Sequence, residues 1–109
     1  MKRINLNLNL DKLKLSNGEL KDTNPTKIVT SILTNGFGMW QQQQNGLLLT
    51  EQRKISKILD ELEKGEDTIK IEDEEFNYLY DIFGKIKWNG ATRLLVLIAD
   101  ELDRAKVEK

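Results

Sequence analysis

"TIKIEDEEFNYLYDIF", residues 68–83, changes its repeat part-way through. Over Thr68 to Ile71 polar and apolar side chains alternate, as they do in a strand with one buried face. Beyond it Phe76, Leu79, Tyr80, Phe83 and then Ile86 fall at helical spacing along one stripe. Between the two patterns stands the acidic cluster Glu72-Asp73-Glu74-Glu75. Carboxylates suit a helix start, where unpaired N–H groups and the positive end of the dipole face them. The spacing predicts a strand over 68–71 and a helix over 73–87, with Asp73 as its cap. Gly84 then lies inside the helix, at a cost of about 1 kcal/mol relative to Ala. One small chain must therefore hold both kinds of secondary structure.

Towards the N-terminus, Ile4, Leu6, Leu8 and Leu10 alternate with Asn5, Asn7 and Asn9, a strand for which "TIKI" is a candidate partner. A bulge near Asp11-Lys12 would return Leu13 and Leu15 to the same face. Asn17-Gly18 is a hairpin-turn signal because both central positions of a type I′ turn need positive φ, and Glu19 to Asp22 would be the return strand. Residues 1–23 thus read as a β-hairpin. Asn24-Pro25 opens a helix over 24–36, with Asn as cap and Pro where a missing N–H costs nothing. Ile28, Val29, Ile32 and Leu33 form its apolar face, and Asn35-Gly36 reads as its stop. A second helix spans 50–65, capped by Thr50, with Ile55, Ile58, Leu59 and Leu62 inward and Gly65 at its end. Trp88-Asn89-Gly90 joins the third helix to a last one over 91–106, whose face is Leu94, Leu95, Leu97, Ile98 and Leu102. The charged tail from Asp103 is expected to fray. The fold class is α+β: an N-terminal hairpin with a third short strand, packed with four helices.

A chain of 109 residues accommodates one compact domain. It is 39% hydrophobic and 32% charged, with a net charge of −1, so no global field draws it to nucleic acid or to an anionic membrane. Its longest apolar run, Leu94 to Ala99, falls far short of the roughly 20 residues a membrane span needs. The alternating start lacks the apolar block of a secretory signal, so the expected location is cytoplasmic. With no cysteine and no histidine, thiol nucleophiles, cysteine–zinc sites and the usual neutral-pH general base are excluded. "GEDTIKIEDEE" lacks the spaced ligands and central Gly of an EF-hand loop. "GFG" lacks the strand, lysine and hydroxyl of a phosphate loop. No catalytic residue, metal or cofactor is expected.

Basic residues occur on the hairpin (Lys2, Arg3, Lys12, Lys14) and on the second helix (Arg53, Lys54, Lys57). With Trp40 or Trp88 they could track single-stranded nucleic acid, although Asp60, Glu61 and Glu63 neutralise the helical patch. Lysines on an edge strand also prevent edge-to-edge aggregation. The stretch "FGMWQQQQNGLLLT", residues 37–50, is long for a connection. Phe37, Met39 and Trp40 either plug the chain's own core or reach a neighbouring subunit or partner, where Trp and Met are favoured anchors. The glutamines, fair helix formers, could extend the helix before them.

The order of elements resembles a loose group of small proteins encoded by bacteriophages and prophages. The resemblance rests on "LKLSNGELKD", "TKIVTSILTN", "TEQRKISKILDELEKGE", "TIKIEDEEFNYLYDIF" and "TRLLVLIADELDRA". It implies no catalytic residues, and "FGMWQQQQNGLL" departs from the short linker of that pattern. The expected function is a non-enzymatic protein–protein interaction module, phage-encoded and homo-oligomeric. Such a module would act in virion assembly or inhibit a host protein, in the host cytoplasm or within the virion. The expected contact residues are Phe37, Met39 and Trp40 with the strand edge at Ile4, Leu6, Leu8 and Leu10. The alternative is a small nucleic-acid-binding regulator using the hairpin and helix 50–65. A carboxylate enzyme built on Glu72 and Asp73 stands last.

Overall fold

In the computed structural model the residues described are 1–9, 24–90 and 92–108. They form β1 (Lys2–Asn5), α1 (Pro25–Gln43), α2 (Leu49–Glu63), β2 (Thr68–Ile71), α3 (Asp73–Phe83) and α4 (Thr92–Val107). The class is α+β. The alternation at both strands does what a period-two pattern requires: β1 pairs antiparallel with β2, setting Ile4 opposite Ile69 on the buried face. Leu6 extends the ladder by donating its N–H to the Asp67 carbonyl. α4 packs on β1, α2 packs on β2, and α3 and α1 pack on α2. The expected bulge, turn and return strand, with Leu10, lie outside the described residues.

The start of α1 is as its sequence implies. Asn24 Oδ1 accepts the Thr26 N–H at 2.9 Å and Pro25 opens the helix. Its end is not. The helix runs through Asn35-Gly36 to Gln43, so most of the 37–49 stretch expected as a loop is helix. Val29, Leu33, Phe37 and Trp40 continue one buried stripe along it. Gly36 is on that stripe because the indole of Trp88 lies against it, where any Cβ would collide with the ring. The true stop is Asn45-Gly46. Asn45 has φ 54°, Gly46 N–H bonds back to the Gln41 carbonyl, and Asn45 N–H to that of Gln42. This is the paired arrangement that commonly ends helices, with Asn in the left-handed position.

Three further boundaries differ. α2 is entered through Leu48, with Thr50 already inside the helix. Glu72, not Asp73, is the residue at the cap of α3. α3 ends at Gly84 instead of continuing to 87, because Trp88 folds back and donates its indole N–H to the Phe83 carbonyl at 3.0 Å. The tail expected to fray is helical to Val107, held by Lys2 Nζ, which donates to the carbonyls of Lys106 and Glu108.

Candidate functional site

Of the residues expected to meet a partner, Phe37 and Trp40 are buried and Met39 is half-buried against the same core. Trp40 keeps its polar atom satisfied by donating Nε1–H to Tyr78 Oη at 3.1 Å. Burial in turn holds the Tyr78 phenol above its ordinary value. Ile4 and Leu6 are core residues and Leu8 is half-buried. Nor is the outer edge of β1 open to a further strand. Its Arg3 carbonyl accepts from Arg104 Nη2 at 3.1 Å, and its Asn5 N–H donates to Glu101 Oε2 at 2.6 Å. Two side chains of α4 thus occupy groups that an incoming strand would need. On the single chain Ile4, Leu6, Phe37 and Trp40 serve the core.

The glutamine run is structural too. The Gln43 amide brackets the backbone of Lys87, donating to its carbonyl and accepting its N–H, both at 3.0 Å. Gln41 accepts from Gln52 at 3.2 Å, which ties α1 to α2.

What the same stretch does expose is its leucines. After the Asn45-Gly46 stop, Leu47 folds partly under, while Leu48 and Leu49 stand 72% and 65% exposed. They are held in a defined place. The turn is closed by the α1 terminus on one side, and on the other Glu51 Oε2 accepts the Leu48 N–H at 3.2 Å. Leu48 and Glu51 border a shallow depression of about 400 Å³ with Gln44, Asn45, Gly46 and Leu47. Leu48 also occupies a position for which it is poorly suited. Its side chain can accept nothing from the first N–H groups of α2, whereas Ser, Asp or Asn there would. The triple leucine after an Asn-Gly turn is the signal in the sequence for this projection.

A second, polar concavity of about 270 Å³ lies where α2, β2 and the start of α3 meet, lined by Lys57, Asp60, Glu61, Lys70, Glu72 and Glu75. Glu75 is only 4% exposed, with one carboxylate oxygen 3.2 Å from Lys57 Nζ and the other without a hydrogen-bond donor. Lys54 pairs with Glu74 at 3.5 Å. These α3 carboxylates pair with two of the three basic residues, Arg53, Lys54 and Lys57, that a nucleic-acid reading of the second helix would use. Among the described residues no group of three or more acidic side chains is placed to hold a metal ion. Nor, among them, is any helix long and apolar enough to cross a membrane.

No family model, curated protein or solved structure matches this chain.

Proposed function

We propose that the protein is a non-enzymatic protein–protein interaction module that meets its partner through the Leu48–Leu49 turn. The observation that carries this reading is the pair of adjacent leucines at 72% and 65% exposure, fixed between two helix termini. A rigid apolar projection loses little conformational entropy on binding and gains the free energy of removing apolar surface from water. The lack of histidine and cysteine in the chain supports a role without chemistry. The likeness of its element order to small phage-encoded proteins supplies the setting: a cytoplasmic accessory factor, acting on a virion component or on a host protein.

Leu48→Ser separates function from stability. A serine hydroxyl at the entry to α2, three residues before Glu51, would complete a reciprocal cap for that helix while deleting the exposed side chain. The folded state should gain about 1 kcal/mol, read as a raised thermal midpoint. Capture of the partner from phage-producing cells should fall sharply. Undiminished capture by the double variant Leu48→Ser, Leu49→Ser would remove the turn from the interface.

A further inference from the structure

The outward face of α4 is built to match itself. Arg93, Val96 and Asp100 follow one another at i, i+3 and i+7, the spacing that keeps residues on one side of a helix. All three are exposed, Val96 to 54%. Neither Arg93 nor Asp100 has an ion-pair partner among the described residues, although other charged side chains of α3 and α4 do: Arg104 holds Glu101 and Glu108, and Lys85 holds Asp81. Asp103 accepts the Tyr80 hydroxyl at 2.6 Å. Beside Val96, on the flank away from Arg93 and Asp100, lies an apolar groove of about 330 Å³ lined by Phe83, Trp88, Leu95 and Ala99. The helix thus carries three parallel features: an apolar groove, an exposed valine, and an unpaired positive–negative couple.

We propose that α4 is the self-association face of the protein, pairing antiparallel with α4 of a second copy about a two-fold axis between Val96 and Leu97. The choice of a second copy follows from the charge pattern. A two-fold axis perpendicular to the helix sends each position to its mirror in sequence and keeps each flank on its own side. Arg93 and Asp100 lie equally far from that axis, roughly 5 Å along the helix in opposite directions. Each arginine therefore meets the partner's Asp100, and each aspartate the partner's Arg93. The groove meets the groove on the other flank, with Val96 at the crossing. A parallel pairing, whose axis runs along the helices, would exchange the flanks and set each charged flank against the partner's apolar groove. An unrelated partner would have no reason to match an opposite pair placed symmetrically about that axis. This goes beyond the Leu48–Leu49 reading, which concerns another face and stays independent of it.

A concentration series by sedimentation equilibrium tests the proposal on the full chain. The wild type should dimerise, more weakly as salt rises, because the two pairs are exposed and screened. Arg93→Glu sets carboxylates against each other twice in the dimer and should raise the dissociation constant about tenfold or more. Asp100→Lys should do the same. The double variant Arg93→Glu, Asp100→Lys restores both pairs with reversed polarity and should return the constant to within about threefold of wild type. Each substitution lies on an exposed helix position, and a glutamate in the first turn is favourable to the helix, so circular dichroism should show an unchanged fold. Leu48→Ser should leave the dimer intact. A chain that stays monomeric at millimolar concentration would overturn the proposal. So would a dimer indifferent to Arg93→Glu, a folded double variant that fails to recover, or a dimer lost with Leu48→Ser.

Discussion

Gly36 and Gly38 sit two residues apart on the same helix, and the surroundings of each reverse the meaning of an added methyl group. At Gly36 a Cβ would run into the Trp88 ring, which is itself fixed by its bond to the Phe83 carbonyl and by the Phe83 ring 5.0 Å away. At Gly38 nothing lies within 4 Å of the same atom. Alanine favours a helix interior over glycine, so Gly38→Ala should stabilise the protein by about 0.5–1 kcal/mol. Gly36→Ala gains the same helical preference but must displace a packed indole, and should cost about 1–3 kcal/mol net. Urea unfolding of the two variants side by side checks the contrast, and equal shifts would show that Trp88 is not held there. The pair also explains why Asn35-Gly36 reads as a stop in sequence. The dipeptide is a common local terminator, but here the glycine serves a contact with a residue more than fifty positions later. Nothing local distinguishes the two uses. The continuing stripe from Val29 and Leu33 to Phe37 and Trp40 was the legible sign that the helix went on.

At the scale of elements, β1 is held on both edges, and the second edge could not be read from sequence. Alternation showed which side chains of the strand face inward. It could not show that Glu101 and Arg104, 96 and 101 residues beyond their partners, satisfy its outer backbone groups. Arg104 extends the same network to Glu108, whose carboxyl it holds below the ordinary value of 4.5, with further help from Arg3 and Lys2. A carboxyl whose pKa is depressed by folding adds stability above its unfolded value and loses it as pH falls through the folded one. The stabilising effect of Glu108 should therefore be full at neutral pH and fade on acidification below the ordinary carboxylate range. Comparing wild type with Glu108→Gln across an acid titration of the thermal midpoint checks this. The two curves should lie apart at neutral pH and converge in acid. Curves separated by a constant amount would mean that the ion pair does not couple to folding. The capped outer edge leaves the Arg3 carbonyl and the Asn5 N–H satisfied within the chain, while Ile4 and Leu6 face the core.

For the whole molecule, the two ends of the described chain close the core together. β1 lies between β2 and α4, and Lys2 reaches the carbonyls at the end of α4. Strand, helix and α+β class were legible because burial periodicity is a property of each segment alone. The pairing of the N-terminal strand with Thr68–Ile71 was legible from their shared alternation; that α4 would close over β1 was not, because that contact joins segments at opposite ends of the sequence. The same closure makes a prediction about cooperativity. Ile4 is buried opposite Ile69, in one continuous core cluster with Phe37, Trp40, Phe83 and Leu102. Ile4→Ala should cost about 2–5 kcal/mol, the range for a large aliphatic removed from a packed site. If β1 were a local appendage, that loss would leave the surroundings of Trp40 and Trp88 intact. Because the core is continuous, both indoles should instead report the same transition as the helices. Tryptophan fluorescence and far-ultraviolet circular dichroism should then give one lowered urea midpoint with an unchanged slope. A fluorescence midpoint left at its wild-type position while another signal shifts would show that the strand folds apart from the rest.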